Sequence, residues 1–265
     1  MSNYKSIVLN IISEADILLE VLDGRLVELS RNKYFEKKVL ESGKELVFII
    51  NRSDISPKSF IQEQLKELKP SFIVSAKNGY NMRTLRRFIV AKSEELLKKG
   101  KNKVLIGVFG QPNVGKSSLL NSLSRGGKVL TSPISGFTKG KQLLKMRENI
   151  YLIDTPGIIN FNKDDEVRQA LLGSKDPNKL KDIEGVALIL INKIKKVIAS
   201  HYKVEYNEDP EKILESIGQT LNYKSSRGAV DIKRAAKKIL SDWQKGLIKT
   251  NSDELRGIVQ KLKER

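Results

Sequence analysis

The sequence predicts an α/β protein: a doubly wound, mostly parallel sheet, followed by a smaller all-helical C-terminal domain. Three observations carry that expectation. Short apolar runs recur at Glu45–Ile50, Ser71–Val74, Val104–Phe109 and Ile150–Ile153. Segments of helical period separate them, as a parallel sheet with helices on both faces requires. From Ile183 onward the strands stop and only helical patterns remain. The expected domains are therefore residues 1–178 and 179–265.

Taken in order, Ala15–Asp23 reads as a helix leading into a short strand that breaks at Gly24. Glu45–Ile50 is a buried strand ending on Asn51-Arg52-Ser53-Asp54, and Ser71–Val74 is another, ending on Ser75-Ala76-Lys77. Ser59–Leu68 has helical periodicity between them, and Asn81–Leu97 repeats it with Leu85, Phe88, Ile89 and Leu96 on one side. Lysines around Gly100 mark an exposed connector. Val104–Phe109 and Ser118–Leu123 are a strand and a helix joined by a glycine-rich turn. The stretch Arg125–Lys141, rich in Gly, Ser, Thr and Lys, is expected to be a mobile loop. Leu143–Met146 and Ile150–Ile153 read as a strand pair, and a short helix is expected near Glu166–Leu172. In the last part, Val186–Ile198 is apolar enough to be buried and Glu211–Thr220 is amphipathic. Asp231 caps a longer helix. Its buried face is expected to carry Ile232, Ala236, Ile239, Leu240, Trp243 and Leu247.

Composition narrows the class. The 265 residues are 39% hydrophobic and 30% charged, and no apolar run approaches the ~20 residues of a membrane span. The first residues lack the basic start and apolar stretch of a leader. With no cysteine, disulfides and thiolate metal sites are excluded, and a reducing cytoplasm is the expected location. One histidine, His201, cannot build a multi-histidine metal site. The formal charge of +18 creates a long-range field that draws polyanions, so a nucleic-acid partner is expected. Lys233, Arg234, Lys237 and Lys238 gather on one side of the last predicted wheel and are the candidate RNA-binding residues.

The run Gly110-Gln111-Pro112-Asn113-Val114-Gly115-Lys116-Ser117-Ser118 fits Gly-x-x-x-x-Gly-Lys-Ser/Thr between a strand and a helix. Glycines let successive N–H groups point at an anion, and the helix N-terminus adds its positive end. Lys116 is placed to reach the β- and γ-phosphates and Ser117 to ligate Mg²⁺. Asn51-Arg52-Ser53-Asp54 then fits a guanine-reading Asn-Lys-x-Asp with Arg in the Lys place. Guanine presents adjacent N–H donors that the Asp54 carboxylate accepts and adenine does not offer, and an unmatched donor is costly. Arg52 can lie over the purine face, and in Ser75-Ala76-Lys77 the Ala76 N–H is positioned for the guanine oxygen. Asp154-Thr155-Pro156-Gly157 fits Asp-x-x-Gly, with Asp154 on Mg²⁺ through water and the Gly157 N–H on the γ-phosphate. Thr138 is the candidate switch threonine for Mg²⁺, with Thr131 the competing choice.

A usual GTPase has its phosphate loop first and its base-reading motifs last. Here Asn51 and Ser75 precede Gly110, while Thr138 and Asp154 follow it. Each motif ends a strand, so one sheet gathers them all, and the order is a circular permutation. With these residues the chain resembles the circularly permuted GTPases of the ribosome biogenesis GTPase A family, over nearly its whole length, and an archaeal or bacterial member is expected. Asp23-Gly24-Arg25 is similar to the family's Asp-Ala-Arg segment, and Gly228–Ala236 to its C-terminal Arg-Ala-Ala helix. The resemblance implies a P-loop GTPase fold and GTP-dependent maturation of the large ribosomal subunit, with rRNA contacts from both domains. It also implies K⁺ beside the phosphates, helped by Asn113. Ile158 after Gly157 is the aliphatic residue typical of that family, where signalling GTPases carry a water-orienting glutamine.

The expected function is thus a Mg²⁺-dependent GTP hydrolase, cycling between GTP and GDP and binding the large subunit or its precursor. It is expected to be monomeric when free, away from membranes, and slow until the particle orders the switch loop. Lys116, Thr138 and Gly157 are the expected catalytic residues. The alternatives are a regulatory GTPase with a protein effector and an RNA-binding module with a vestigial nucleotide pocket.

Overall fold

The structure, a computed structural model, describes residues 2–124, 129–130, 143–154, 166–226 and 228–263. The chain forms two compact units, residues 1–54 with 61–160 and residues 55–60 with 161–265.

The first unit is built on a seven-stranded sheet. Its strands are β1 (Ile17–Asp23), β2 (Glu45–Asn51), β3 (Ser71–Ile73), β4 (Val104–Gly110), β5 (Val129–Leu130), β6 (Leu143–Arg147) and β7 (Ile150–Asp154). In space they run β3-β2-β1-β4-β7-β6-β5. The first five in that order are mutually parallel, while β6 and β5 are antiparallel additions at one edge. The two-residue side-chain period explains why β1, β2 and β4 read as unbroken apolar runs: both faces are covered. Ile17, Leu19, Val21, Val47, Ile49, Ile106 and Val108 enter one core with the helices Met82–Lys98 and Lys116–Ser124. Leu18, Leu22, Phe48, Ile50, Leu105 and Phe109 enter the other with Ser2–Glu14 and Lys33–Glu41.

Those last two helices were not expected from the sequence. Lys33–Glu41 buries only Phe35, Glu36 and Val39, a stripe too narrow to stand out among lysines; Asn32 Oδ1 caps it by accepting from the Phe35 N–H at 3.2 Å. The first helix ends at Glu14, so Ala15 precedes the strand instead of belonging to a helix that feeds it.

Parallel register places the functional ends of the strands on one edge. Asp23 lies opposite Asn51, Val21 opposite Gly110, and Val108 opposite Asp154. Brought together there are the ends of β1, β2, β4 and β7, although 131 positions separate Asp23 from Asp154 in the chain (154 − 23).

The second unit is helical: Glu166–Leu171, Ile183–Lys193, Lys195–Tyr202, Pro210–Thr220, Ile232–Lys245 and Ser252–Lys263. Residues 166–178 cluster with these helices, and the physical reason is the fully buried Trp243. Its indole N–H donates to the Leu171 carbonyl at 2.9 Å, and the Gln244 amide donates to the carbonyls of Ala170 and Lys175. The apolar stretch Val186–Ile198 divides into two helices at Ile194, where φ is −135°. Asp231 Oδ1 accepts from the Arg234 N–H at 3.0 Å, the cap the sequence predicts. Leu247 corrects the predicted wheel. The helix stops at Lys245 because Gly246 turns left-handed (φ +72°), and Leu247 is left 50% exposed. Among the described residues no helix is long and apolar enough to cross a membrane.

Candidate guanine-nucleotide site

The turn after β4 has a backbone that only its own residues permit. Gly110 sits at φ +149°, where an added Cβ would lie 2.4 Å from the Val21 carbonyl oxygen. Gly115 sits at φ +95°, where a Cβ would lie 2.3 Å from Asn51 Nδ2. Asn113 between them is also left-handed, at φ +61°, and is exposed. Val114 is buried and fixes the turn to the core. The buried Lys116 folds back into the loop, its ammonium donating to the carbonyls of Gly110 at 3.1 Å and Gln111 at 2.6 Å. Ser117 and Ser118 are exposed in the first turn of the helix that begins at Lys116. The arrangement is an anion cradle: a curled backbone, a helix N-terminus and a lysine held at its lip.

Asn51, at the end of β2, ties this cradle to the base-reading loops. Its amide donates to the Val114 carbonyl at 2.9 Å, and its Oδ1 accepts from the Ala76 N–H at 3.0 Å. Asn51 thus acts by joining two loops, a role that the motif alone does not reveal. Ser75 sets the carboxylate expected to read the base: its hydroxyl donates to Asp54 Oδ1 at 2.7 Å and accepts from the Asn78 N–H at 3.2 Å. Lys77 is exposed beside it.

Arg52, left-handed at φ +64°, sends its guanidinium to Asp23 Oδ2 at 3.1 Å. Asp23 also accepts one edge of the Arg25 guanidinium in bidentate fashion, from Nε at 3.1 Å and Nη2 at 2.8 Å. Burial alone would raise the Asp23 carboxyl, but Arg25 and Arg52 outweigh it and hold it at about 2. The Arg52 head is therefore committed to Asp23, leaving its aliphatic stem as the part able to lie along a base. Asp23 and Arg25 were singled out in the sequence only through resemblance. The physical signal was present: an acid and an arginine two residues apart, closing an otherwise apolar strand.

Asp154 closes β7 with its backbone opposite Val108, beside the strand that feeds the cradle. Thr138, its competitor Thr131, Gly157 and Ile158 lie outside the described residues, as does the predicted loop Arg125–Lys141 apart from Val129–Leu130. In the helical unit, Lys233 and Lys237 are exposed. Arg234 lies over the Tyr223 ring, 4.3 Å from its centroid. Lys238 pairs with the buried Asp242 at 2.8 Å, which also accepts from the Tyr202 hydroxyl at 2.8 Å. That hydroxyl is pushed above its ordinary range by burial and by the bond to Asp242.

Sheet order, glycine cradle and strand-end motifs define the class: a P-loop nucleotide-binding domain whose segments are permuted in sequence. The family model described as "50S ribosome-binding GTPase" matches residues 105–223. An uncharacterised GTP-binding protein of Methanocaldococcus jannaschii is 36% identical over 248 residues, covering 91% of this chain and 65% of that protein. The guanine nucleotide-binding protein-like 3 homolog of Caenorhabditis elegans is 31% identical, covering 93% of this chain and 49% of its own length. This chain thus spans about half to two thirds of these relatives. In fold it is similar to the GNP-bound YlqF of T. maritima, with a TM-score of 0.63 at 19% identity, over 91% of this chain and 93% of the other. Over most of its length the chain is thus similar to GTP-binding proteins, and it carries their motifs in a permuted order.

Proposed function

We propose that the chain hydrolyses GTP and uses the nucleotide cycle to bind and leave a maturing large ribosomal subunit. The observation that carries this reading is the double bridge of Asn51. By holding the Val114 carbonyl and the Ala76 N–H at once, it makes the phosphate cradle and the guanine loops a single recognition unit. Such a unit gains most from a ligand that has both a purine with paired donors and a polyphosphate.

The residues present fit Mg²⁺ bound together with substrate. Among the described residues no cluster of three or more acidic or histidine side chains forms a metal cage. By their motifs, Ser117, Asp154 and Thr138 would instead supply the sparse oxygen set of a cation shared with phosphates. When bound, Mg²⁺ supplies charge neutralisation on the phosphoryl oxygens. The chain's own contribution is positioning and electrostatics: Lys116 can exchange its two carbonyl partners for phosphate oxygens, the loop N–H groups hold the polyphosphate, and the Gly157 N–H senses the γ-phosphate. Asn113 would help to hold K⁺ at the same edge. With Ile158 in place of a glutamine, no side chain there orients water, and turnover stays slow until the particle orders the site. The nucleotide motifs between Asn51 and Gly157 carry the GTPase, and the helical unit contacts rRNA through Lys233, Arg234, Lys237 and Lys238. The protein works in the cytoplasm and is monomeric when free.

Steady-state hydrolysis with and without purified large subunits tests this proposal. GTP, and not ATP, should be hydrolysed slowly by the free protein and at least ten-fold faster with subunits, faster in K⁺ than in Na⁺ at equal ionic strength. Lys116→Ala should abolish turnover without changing far-ultraviolet circular dichroism. Equal turnover of ATP, or no response to subunits, would defeat the reading.

A further inference from the structure

The helical unit has a groove with a charge opposite to that of the molecule. Leu188, Leu214, Ala229, Val230 and Ile232 give it an apolar floor, and Glu184, Glu211 and Glu215 line its rim, around a cavity of about 480 Å³. Leu214 is buried, while Leu188, Val230 and Ile232 are half-buried and Ala229 is exposed. Val230 is seated by Gly218, where an added Cβ would lie 2.4 Å from Val230 Cγ1. The floor is therefore anchored to the helix Pro210–Thr220.

None of the three glutamates forms an ion pair with a described cation. Glu215 takes only a long bond from the Gln219 amide at 3.5 Å. In a chain with 49 Lys and Arg against 31 Asp and Glu, three carboxylates lining one groove without a described cation stand against the prevailing charge. Glu184 and Glu211 lie in the first turns of their helices, where negative charge complements the helix dipole. Glu215, a turn further along, has no such reason to be acidic.

We propose that this groove docks a basic segment of a protein partner, one that presents an aliphatic side chain flanked by lysine or arginine. The apolar floor takes the aliphatic side chain, and the rim pairs with the flanking cations. The same rim repels nucleic acid, so the groove and the basic helix face divide protein from RNA recognition. The +18 net charge disfavours basic partners in general, and the three carboxylates offset it at this groove. The groove is remote in chemistry from the nucleotide loops, and its occupancy does not depend on GTP hydrolysis.

The test uses the full chain and a fluorescent twelve-residue peptide with two leucines four positions apart among five lysines, followed by anisotropy. A version with both leucines replaced by serine serves as control. The leucine peptide should bind at least ten-fold more tightly than the serine peptide. Combining Glu184→Gln, Glu211→Gln and Glu215→Gln should remove that advantage, as should Ala229→Arg, which fills the groove from an exposed position. A control set at exposed acids elsewhere in the unit, Glu205→Gln, Glu208→Gln and Asp253→Asn, should leave it intact. All variants should bind GTP as the parent does, which separates failure here from failure of the GTPase reading. Equal binding of the two peptides, or equal weakening in the rim and control sets, would reduce the groove to general electrostatics and overturn the proposal. Self-association of the peptide-free chain that the rim variant abolishes would also overturn it, because the occupant would then be a second copy.

Discussion

Asn51 can reach Val114 only because residue 115 has no side chain. An alanine Cβ there would fall 2.3 Å from Asn51 Nδ2, and the backbone at φ +95° already disfavours any L side chain. Gly115→Ala should therefore expel the Asn51 amide and uncouple the phosphate cradle from the Ala76 loop. Isothermal titration should show GTP affinity at least ten-fold lower, about 1.4 kcal/mol, with ATP still rejected while Asp54 remains. Unchanged GTP affinity would mean that the bridge does not organise the site. The glycine and asparagine are both plain in the sequence, yet their contact is not: Asn51 and Val114 are 63 residues apart, and only the folded sheet edge joins them. A second buried residue behaves differently. Glu20, in the middle of β1, is fully buried, accepts from the Asn32 N–H at 2.7 Å and faces Glu36, which is itself paired with Arg31. Burial first, and then Glu36, push its carboxyl well above the ordinary range. A raised folded value means that the wild-type chain is favoured below the unfolded carboxyl range and loses that advantage as pH rises through the folded one. Glu20→Gln keeps an acceptor for Asn32 and cannot ionise. Its urea midpoint relative to wild type should therefore be higher at pH 7 than at pH 4; a difference independent of pH would exclude ionisation of Glu20 as the cause.

Among elements, the strands of the parallel sheet were legible because both faces are buried and the signal is local. The helices Ser2–Glu14 and Lys33–Glu41 were not, since each owes its place to packing on a distant strand face. The helix Ile232–Lys245 shows a finer limit. Its wheel separates apolar from basic residues, but the pattern cannot tell a solvated lysine from an anchored one. Lys238 is anchored: it neutralises Asp242, which is 2% exposed and holds the Tyr202 hydroxyl. Lys238→Ala leaves that carboxylate buried with one cation fewer. It should cost about 1–2 kcal/mol, less than for a fully buried pair because the ammonium is half-exposed. Lys233→Ala and Lys237→Ala, at exposed positions, should stay within ~0.5 kcal/mol of the parent. Urea unfolding of the three variants checks this, and equal effects would show that the Asp242 pairing adds nothing to stability.

At the scale of the whole molecule, the permutation changes which chain segments are neighbours in sequence without moving the motifs off their strand ends. A sheet of parallel strands tolerates this because site geometry depends on register, and Asp23, Asn51, Gly110 and Asp154 keep theirs. The excess of 18 positive charges is likewise a property of the whole chain, read directly from composition. For the proposed RNA partner it would supply attraction without choosing a site; choice requires particular phosphates met by particular side chains. Under the proposed rRNA contact, the candidates on the helix Ile232–Lys245 are the exposed Lys233 and Lys237, Arg234 over the Tyr223 ring, and the outer half of Lys238. Double-stranded RNA is met mainly through shape, phosphate and 2′-hydroxyl groups, so in the proposed contact this face would contribute affinity more than sequence preference. Replacing all four by alanine should leave GTP binding intact and weaken attachment to large-subunit particles. It should also make the salt dependence shallower by roughly two to three units of the logarithmic slope, about 0.7–0.9 for each phosphate no longer neutralised. Because Lys238→Ala carries a stability cost of its own, the triple variant that keeps Lys238 is measured alongside. Weaker binding in the triple variant with its unfolding midpoint unchanged assigns the effect to recognition. A parental slope in both variants would instead make this face ordinary solvated surface, and would leave the attraction to RNA to charges elsewhere on the molecule.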